Sequence, residues 1–480
     1  MNIDNYSVAP AAAAPDMYET VSDTWPDYME TADRANLVGY KSVGVPGALM
    51  GWRYAEEKFG RLGLDTVIQP AIRYAERGFA VSRYLADIIR MNQEDLAMFP
   101  ASAEVFLPNG TPPSVGQTIV RSDYARTLEA VASDGSDALY RGRIGEMVAA
   151  DMAVNGGIIT EEDFENYRIH LREPVRGAYR GYDIVSVAPT SSGGTAIIEI
   201  LNILEGFDVA SLGFGTAEGA HLLAEAMKIA FADRFEYMGD PAFVEVPVGA
   251  LTDKGYAAAR RDEIDASRAR GYKYGNPSLY VGEGADTTHL TTADADGNVV
   301  STTQTIHAAF GSKVTTPGTG MLLNNTMNIF DPHPGNANSI APGKRMVSSM
   351  SPTIVMKDGK PFMALGTPGA TRIFPSVLQA IVNVIDHGMT LQEAVEAPRI
   401  WTQGQALEVE PGISDGVREG LRAKGHDVEI TARVAGGMNG VMFDHANGVI
   451  RGAACYRADG VPAGFSGGAA RADDDPLYRF

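Results

Sequence analysis

The residues best suited to chemistry in this sequence are threonines at the start of a predicted strand. Asp286-Thr287-Thr288-His289 follows a stretch rich in Gly and Tyr. A threonine at a new chain terminus carries a nucleophile and a base together, because its α-amino group has a pKa of about 7.7–8.0 and can accept the hydroxyl proton. Before cleavage that nitrogen is an amide and cannot act as a base. This chemistry therefore requires the chain to cut itself first.

A hairpin signal follows, Asp294-Ala295-Asp296-Gly297-Asn298. A turn at its centre places Thr287 opposite Thr305 and His289 opposite Thr303. The first pair of hydroxyls would then lie within hydrogen-bond distance. A slip of one residue would break the pairing, and threonine is also favoured in ordinary strands.

The elements that must position these residues change character at the same point. From about Val45 to Arg270 the pattern is mainly helical, and Gly271–Gly284 has no periodicity and is typical of an exposed linker. The later predicted elements are strands at His289–Ala293, Val299–Ile306, Met321–Leu323, Ser351–Met356 and Phe362–Gly366, and helices at Ile373–His387 and Ser414–Lys424. We expect a helical segment, 1–286, a strand-rich segment, 287–480, and a mobile tail from Gly464.

Three local signals stand out in the first segment. Gly219–Arg234 has a helical apolar stripe, and its Lys228 and Arg234 are assigned to a solvated or interdomain face. Thr160-Glu161-Glu162-Asp163 predicts a capping box. Tyr182–Val187 predicts a short strand that ends at a Pro/Ser/Gly loop.

Composition limits the function classes. The chain has 480 residues, 45% hydrophobic and 21% charged, with a net charge of −20. Such a field repels phosphate backbones and anionic lipid, so we expect neither nucleic acid nor membrane as a partner. The single cysteine, Cys455, excludes a disulfide framework. No signal peptide is visible at the start, and we expect a cytoplasmic protein, or a secreted one if the start is trimmed.

The stretch from Thr287 to Arg372 resembles the γ-glutamyltransferase family of N-terminal-nucleophile hydrolases. The matching motifs, beyond the threonines and the hairpin, are Phe310-Gly311-Ser312, Gly320-Met321-Leu322-Leu323-Asn324-Asn325, Ser348-Ser349-Met350-Ser351-Pro352-Thr353 and Gly366-Thr367-Pro368-Gly369, with Val45-Pro46-Gly47, Ser191-Ser192-Gly193-Gly194, Glu225-Ala226-Met227-Lys228 and Ala232-Asp233-Arg234 upstream. The resemblance implies an α+β fold, a four-layer αββα sandwich formed by two segments of one precursor.

The resemblance also implies catalytic roles. Thr287 would be the nucleophile, freed by autocleavage of the Asp286–Thr287 bond, and Thr305 would orient it. The backbone N–H groups of Gly369 and Ala370 would form the oxyanion hole. The family usually has glycine at the position of Ala370, but a backbone donor tolerates alanine there if its φ is negative.

Of the residues that would bind substrate in the family, some are retained in this sequence and others are replaced. The resemblance implies that Ser348 and Ser349 bind the carboxylate end of the acyl group. In the family an arginine grips the substrate's α-carboxylate where Tyr6 stands here, and an acid pairs with its ammonium where Ile329 stands. A buried, unpaired ammonium costs several kcal/mol. We therefore expect poor binding of a γ-glutamyl zwitterion.

Further departures concern the same pocket. Thr326 stands where a polar amide or acid helps in the family, and His307 replaces an asparagine and would supply a donor or a titratable charge. The lid segment, Asp331–Pro342, is short, so we expect an open pocket. Few residues precede Ala9-Pro10, where the family has a long segment. Either the start of the chain is trimmed or misassigned, or the first segment is reduced.

The predicted function is a self-cleaving amide hydrolase or acyltransferase whose acyl group is not a standard γ-glutamyl zwitterion. It acts on a small-molecule amide without cofactor or metal, and its two segments stay associated as a heterodimer that can oligomerise further. The alternatives are a true γ-glutamyl hydrolase or transpeptidase and an uncleaved, non-catalytic binding protein.

Other motifs could indicate a serine hydrolase, a metal site or a dinucleotide site, but each match is incomplete. Gly464-Phe465-Ser466-Gly467-Gly468 matches a serine-hydrolase elbow, but no histidine follows it. The eight histidines are scattered without a tight pair, which argues against a metal site. Gly213-Phe214-Gly215 lacks the third glycine of a dinucleotide site.

Overall fold

The computed structural model of the chain describes residues 1–24, 27–273 and 285–465. Most of the predicted linker and of the predicted mobile tail lies outside the described residues. The α-helices of the described ranges are α1 (Ala48–Phe59), α2 (Leu64–Val67), α3 (Gln69–Arg77), α4 (Arg83–Met91), α5 (Gln93–Ala97), α6 (Pro100–Phe106), α7 (Ser122–Asp134), α8 (Asp137–Tyr140), α9 (Arg143–Val154), α10 (Glu161–Asn166), α11 (Gly193–Leu204), α12 (Val209–Leu212), α13 (Ala217–Tyr237), α14 (Val248–Leu251), α15 (Lys254–Arg261), α16 (Ile373–Ile385), α17 (Leu391–Glu396) and α18 (Asp415–Ala423). The β-strands are β1 (Asn2–Asp4), β2 (Phe79–Ala80), β3 (Thr118–Ile119), β4 (His170–Arg172), β5 (Val175–Tyr179), β6 (Tyr182–Ser186), β7 (Ala285–Ala293), β8 (Val299–Ala308), β9 (Thr315–Thr316), β10 (Met321–Leu322), β11 (Thr353–Lys357), β12 (Lys360–Gly366), β13 (Ile400–Trp401), β14 (Leu407–Val409), β15 (Val428–Ile430), β16 (Asn439–Asp444) and β17 (Val449–Ala454).

A six-stranded antiparallel sheet lies at the centre, in the order β17-β16-β12-β11-β6-β5. β5 and β6 come from the first segment and the other four strands from the second. The seam between the segments is the β6–β11 pair, in which Ser186 lies opposite Thr353 and Ile184 opposite Val355. The two segments therefore share one sheet.

Helices cover one face of this sheet and the β7–β8 hairpin covers the other. Ile197 of α11, Phe231 of α13 and Phe374 of α16 are fully buried in the helical layer, in one cluster with sheet residues. On the opposite face, Ser301 of β8 donates through Oγ to the carbonyl of Leu365 at 3.4 Å. Within the described ranges β7 and β8 pair only with each other.

A second helical layer lies beyond the hairpin. α8, α9 and α10 contribute Leu139, Val148 and Phe164 to a separate apolar cluster. A small cavity lined by Val148, Phe164 and Ile306 lies between this layer and β8. The order helix, sheet, hairpin, helix confirms the predicted α+β, four-layer αββα fold. Among the described helices, none is both long enough and apolar enough to cross a membrane.

Local signals predicted several elements correctly. α10 begins at a capping box, in which the side chains of Thr160 and Asp163 each bond the other's backbone N–H. β6 occupies most of the predicted strand, and α13 extends the predicted helix at both ends. These signals are readable because each depends on residues within a few positions of one another.

Of the two faces predicted for Lys228 and Arg234 of α13, solvated or interdomain, the structure excludes the solvated one. Lys228 is 7% exposed and Arg234 4% exposed. Lys228 Nζ lies 2.7 Å from Glu225 Oε1, whose other oxygen accepts from the Tyr272 hydroxyl at 2.6 Å. Arg234 reaches Ser349 in the second segment. The helix lies inside the molecule, so its charged groups are paired with one another and with the other segment.

Lys228→Met is expected to lower the free energy of unfolding by about 3–5 kcal/mol, because it leaves the Glu225 carboxylate buried without its cation. Urea denaturation measures the change. The matched control is Arg90→Met, which breaks a 2.6 Å pair with Asp87 at the surface and should cost less than about 1 kcal/mol. Equal losses in the two variants would contradict the assignment of a buried, compensated pair.

Candidate active site

The β7–β8 hairpin brings two threonine hydroxyls together. Thr287 pairs with Thr305 and His289 with Thr303, which confirms the predicted register. The Thr287 hydroxyl donates to Thr305 Oγ1 across 3.1 Å. The buried ring of His289 contacts Thr303 Oγ1 at 2.8 Å and Thr291 Oγ1 at 2.9 Å. Burial lowers the pKa of His289 to about 3, so the ring is neutral and holds the hairpin together.

The ladder is irregular immediately before Thr287. Ala285 pairs with Ala308, one step out of register with the Thr287–Thr305 pair. The main chain of Asp286 therefore lies at a β-bulge, where ladder hydrogen bonding is locally interrupted. The bond predicted for autocleavage, between Asp286 and Thr287, lies at this irregularity.

Thr305 is held by one of the residues that depart from the family pattern. The backbone N–H of His307 donates to Thr305 Oγ1 at 2.7 Å. His307 has a φ of 77°, and its Nε2 lies 3.0 Å from Asn328 Oδ1. Burial lowers the pKa of His307 to about 4. Its ring is therefore neutral near pH 7, which favours the predicted hydrogen-bonding role over the predicted charge.

The turn predicted to bind the oxyanion follows β12 and packs against β7. Gly369 has a φ of 140° and Ala370 a φ of 51°. The negative φ under which alanine is tolerated at this position is not met, and the left-handed conformation costs a non-glycine residue about 1–2 kcal/mol. At Gly369 a Cβ would lie 2.5 Å from the Cβ of Ala435. This turn is thus strained at one position and open only to glycine at the other.

Ala370→Gly is expected to raise the apparent Tm by about 1–2 °C, because glycine adopts a positive φ without steric cost and this gain exceeds its extra freedom in the unfolded chain. The backbone N–H is kept, so the catalytic rate should not fall. Ala370→Val is the opposite control, since a β-branched residue at positive φ is disfavoured. Scanning fluorimetry compares both variants with the wild type. A lower Tm for the glycine variant would contradict the strain assigned to this position.

The two serines predicted to bind the acyl group lie beside a buried guanidinium. Ser348 and Ser349 are 5% and 7% exposed. Arg234 donates through Nη2 to Ser349 Oγ at 3.3 Å and through Nε to Ser192 Oγ at 2.8 Å. Ser192 in turn donates through its backbone N–H and hydroxyl to the carbonyl of Ser348. Arg234 therefore brings positive charge to the serine pair, a contact that the helical spacing of Arg234 gave no means of predicting.

The departures at Tyr6 and Ile329 converge on one place. Both belong to an apolar cluster with Met327, Phe330, Ile340, Met346, Met350 and Ile373. Tyr6 is 9% exposed, its hydroxyl contacts the side chains of Ser191 and Ser348, and burial raises its pKa. We refer to Tyr6, Ile329 and Ile340 as the apolar wall. Tyr6 thus adjoins Ser348, which is predicted to hold the acyl group, and Ile329 and Ile340 pack in the same apolar cluster as Tyr6.

Thr326 occupies a supporting position. It is 2% exposed, and its hydroxyl donates to Asn324 Oδ1 at 2.7 Å. Asn324 also bonds both backbone groups of Gly44. Thr326 begins the 3-10 turn that ends at Ile329, so its described contacts fix the turn that carries Ile329.

The lid segment packs against the rest of the chain, and the open pocket expected from its short length stays a prediction. Ile340 is 1% exposed and belongs to the apolar wall. Tyr28 stacks on His333 with ring centroids 4.0 Å apart, and its hydroxyl donates to Asp331 at 3.1 Å. Tyr28, in a loop near the N-terminus, therefore holds the first part of the lid segment in place.

One histidine–carboxylate cluster was missed by sequence reasoning. His221, Glu225 and His426 offer ligand atoms that all lie within 4.8 Å of one another. His221 Nδ1 contacts His426 Nε2 at 2.7 Å, and Lys228 and Tyr272 bond the two oxygens of Glu225. An ammonium already pairs with the carboxylate that a cation would need, so the cluster fits a structural ion-pair network. The histidines are far apart in sequence, which hides their pairing.

Comparison with known proteins gives consistent results. The family model described as gamma-glutamyltranspeptidase matches residues 1–465. Acylase ACY 1 proenzyme from Pseudomonas sp. (strain SE83) is 55% identical over 470 residues, covering 98% of this chain and 84% of the relative. Glutathione hydrolase proenzyme from Escherichia coli (strain K12) is 41% identical over 442 residues, covering 89% of this chain and 75% of the relative.

Among solved structures, the chain is similar to cephalosporin acylase from Bacillus halodurans. The TM-score is 0.87 at 30% sequence identity, and the match covers 97% of this chain and 85% of that one. The similarity therefore extends through both segments and both helical layers.

Proposed function

We propose that this chain, which belongs to the γ-glutamyltranspeptidase family of N-terminal-nucleophile hydrolases, is an acylase for amides whose acyl group carries a carboxylate but no α-ammonium. Membership of the family makes the chain a self-processing enzyme of the hydrolase and acyltransferase class. The finer proposal about the acyl group rests on one observation. Tyr6 and Ile329, which stand where the family has an arginine and an acid, pack in one apolar cluster, and the Tyr6 hydroxyl contacts Ser348.

The apolar wall argues against a zwitterionic acyl group. A γ-glutamyl group would place an ammonium near Ile329, whose side chain offers no counter-charge, and such a buried charge costs several kcal/mol. An acyl group that ends in a carboxylate avoids this cost. It can still accept hydrogen bonds from Ser348 and Ser349, with Arg234 supplying positive charge behind them.

The proposed reaction is acyl transfer through Thr287. Cleavage after Asp286 frees the Thr287 amine, which takes the hydroxyl proton as Oγ attacks the amide carbonyl. The backbone N–H groups of Gly369 and Ala370 stabilise the resulting oxyanion, and Thr305 keeps Oγ in place. The C–N bond then breaks, the leaving amine takes the proton, and water hydrolyses the ester on Thr287.

The two products of self-cleavage remain one unit in this proposal. β5 and β6 belong to residues 1–286, and β11 belongs to residues 287–480. In the central sheet β6 lies directly beside β11. Separation of the segments would break the β6–β11 ladder and expose the helical layer. The cleaved enzyme is therefore a heterodimer of a large and a small segment.

The relatives support an acylase, and one of them also supports a second candidate function. The relative at 55% identity is named an acylase, and the similar solved structure is a cephalosporin acylase. Amides of the cephalosporin side-chain type are accordingly candidate substrates. A true γ-glutamyl hydrolase is the second candidate, because a glutathione hydrolase is 41% identical.

Three p-nitroanilides of matched length test the proposal on the cleaved enzyme. Glutaryl-p-nitroanilide has the terminal carboxylate only, γ-glutamyl-p-nitroanilide adds the α-ammonium, and butyryl-p-nitroanilide has neither. We expect kcat/KM for the glutaryl amide to exceed that for the γ-glutamyl amide by about 10²-fold or more, as several kcal/mol require. It should also exceed kcat/KM for the butyryl amide. Equal or better turnover of the γ-glutamyl amide would establish the second candidate. A fully cleaved protein that turns over none of the three would reject both.

A further inference from the structure

The turn that carries Gly369 and Ala370 has an unfavourable backbone conformation. Both residues have positive φ, and the turn lies between the end of β12 and the start of α16. The 3-10 turn Ala370–Arg372 is closed by two backbone hydrogen bonds, from the N–H of Arg372 to the carbonyl of Gly369 at 3.0 Å and from the N–H of Ile373 to the carbonyl of Ala370. A strained conformation persists only where its surroundings fix it. The side chain that leaves this turn is therefore important for its geometry.

Arg372 anchors the turn to a separate small sheet. Its Nε donates to Glu408 Oε2 at 2.8 Å and its Nη2 to Glu408 Oε1 at 2.5 Å. The guanidinium also lies 4.1 Å above the ring of Trp401. Trp401 of β13 and Glu408 of β14 are direct cross-strand partners. A planar fork that is paired bidentately and stacked on a ring has little freedom to rotate or shift.

We infer that Arg372 is a positioning residue that aims the backbone donors of Gly369 and Ala370 at the oxyanion. The inference rests on the proposed function, in which those two N–H groups stabilise the tetrahedral intermediate. The Arg372 side chain bonds Glu408 and stacks on Trp401, and it acts through the backbone of the turn. Oxyanion donors must lie within a few tenths of an ångström of their target, because a small misplacement of reacting groups costs about 10²-fold in rate.

Arg372→Lys tests the inference, because lysine keeps the charge but cannot form the fork or the stack. We expect autocleavage to be complete, KM to change less than about threefold and kcat to fall by about 10²-fold. Glu408→Gln should give a smaller fall in kcat of the same type. These constants are measured on whichever of the three p-nitroanilides the wild type cleaves best, so an error about the acyl group does not affect the comparison.

Arg180→Lys is the matched control. Arg180 pairs with Asp386 at 3.3 Å and its guanidinium lies 5.2 Å from the Tyr179 ring, and neither partner belongs to the turn. We expect its kcat to stay within about twofold of the wild type.

Two results would overturn the inference. The first is a wild-type kcat in cleaved Arg372→Lys protein. The second is that Arg372→Lys and Arg180→Lys lose kcat in the same proportion to their loss of Tm. The burst of p-nitrophenol from p-nitrophenyl acetate gives a second readout, since it requires oxyanion stabilisation but no acyl recognition. A wild-type burst from Arg372→Lys would likewise overturn it. If Arg372→Lys fails to fold, Glu408→Gln decides by the same criteria.

Discussion

Thr287→Ala is expected to remain a single uncut chain and to lose amidase activity by a factor on the order of 10⁴ or more. The substitution removes the hydroxyl that attacks both the Asp286–Thr287 bond and the substrate, and an uncut chain has no free amine to act as base. Denaturing electrophoresis with intact mass shows the cutting, and p-nitroanilide release shows the activity.

The control for this variant is the same change one residue later. Thr288 is exposed while Thr287 is half-buried against Thr305, because successive side chains of a strand point to opposite faces. Thr288→Ala should be cut between Asp286 and Thr287 and should retain most of its activity. Normal cutting and full activity in Thr287→Ala would remove Thr287 from the mechanism. An uncut wild-type chain would instead favour a non-catalytic binding protein.

The double substitution Tyr6→Arg with Ile329→Asp is expected to change acyl preference. It supplies a cation for an α-carboxylate and an anion for an α-ammonium at two positions of the apolar wall. Compensation of a buried charge is worth about 3–5 kcal/mol. The ratio of kcat/KM for the γ-glutamyl amide to that for the glutaryl amide should therefore rise by a factor on the order of 10²–10³.

Charge and polarity are separated by a matched variant. Ile329→Asn with Tyr6→Arg has nearly the same shape as the double variant but no anion, so it should leave the preference close to that of the wild type. Electrophoresis confirms that each variant is cut before its kinetics are compared. An unchanged ratio in a folded and cut double variant would show that the apolar wall does not select the acyl group.

Local patterns in the sequence were sufficient to predict the Thr287–Thr305 contact at the core of the site. The turn before β8 is fixed by its own residues, since Asp294 accepts from the backbone of Asp296 and of Asn298 and Gly297 has a φ of 86°. A fixed turn sets the register of both strands. The Thr287–Thr305 contact therefore followed from nearby residues.

The rest of the site depends on contacts between distant parts of the chain. Arg234 meets Ser349 across 115 positions, and His221 meets His426 across 205. A periodicity argument reports which side of a helix is polar, but it does not report what lies against that side. The positive φ of Ala370 likewise depends on the surroundings of its turn, as the contact between Gly369 and Ala435 shows.

The position of the β6–β11 seam within the central sheet fixes an order of events in time. While the chain is continuous, its two halves find each other as an intramolecular process, at an effective concentration set by the tether. Once the tether is cut, reassembly becomes bimolecular and depends on dilution. Folding must therefore precede cutting, and an enzyme that unfolds after maturation does not return by the path along which it first folded. The cut enzyme persists by unfolding slowly, so its lifetime is governed by a rate rather than by an equilibrium.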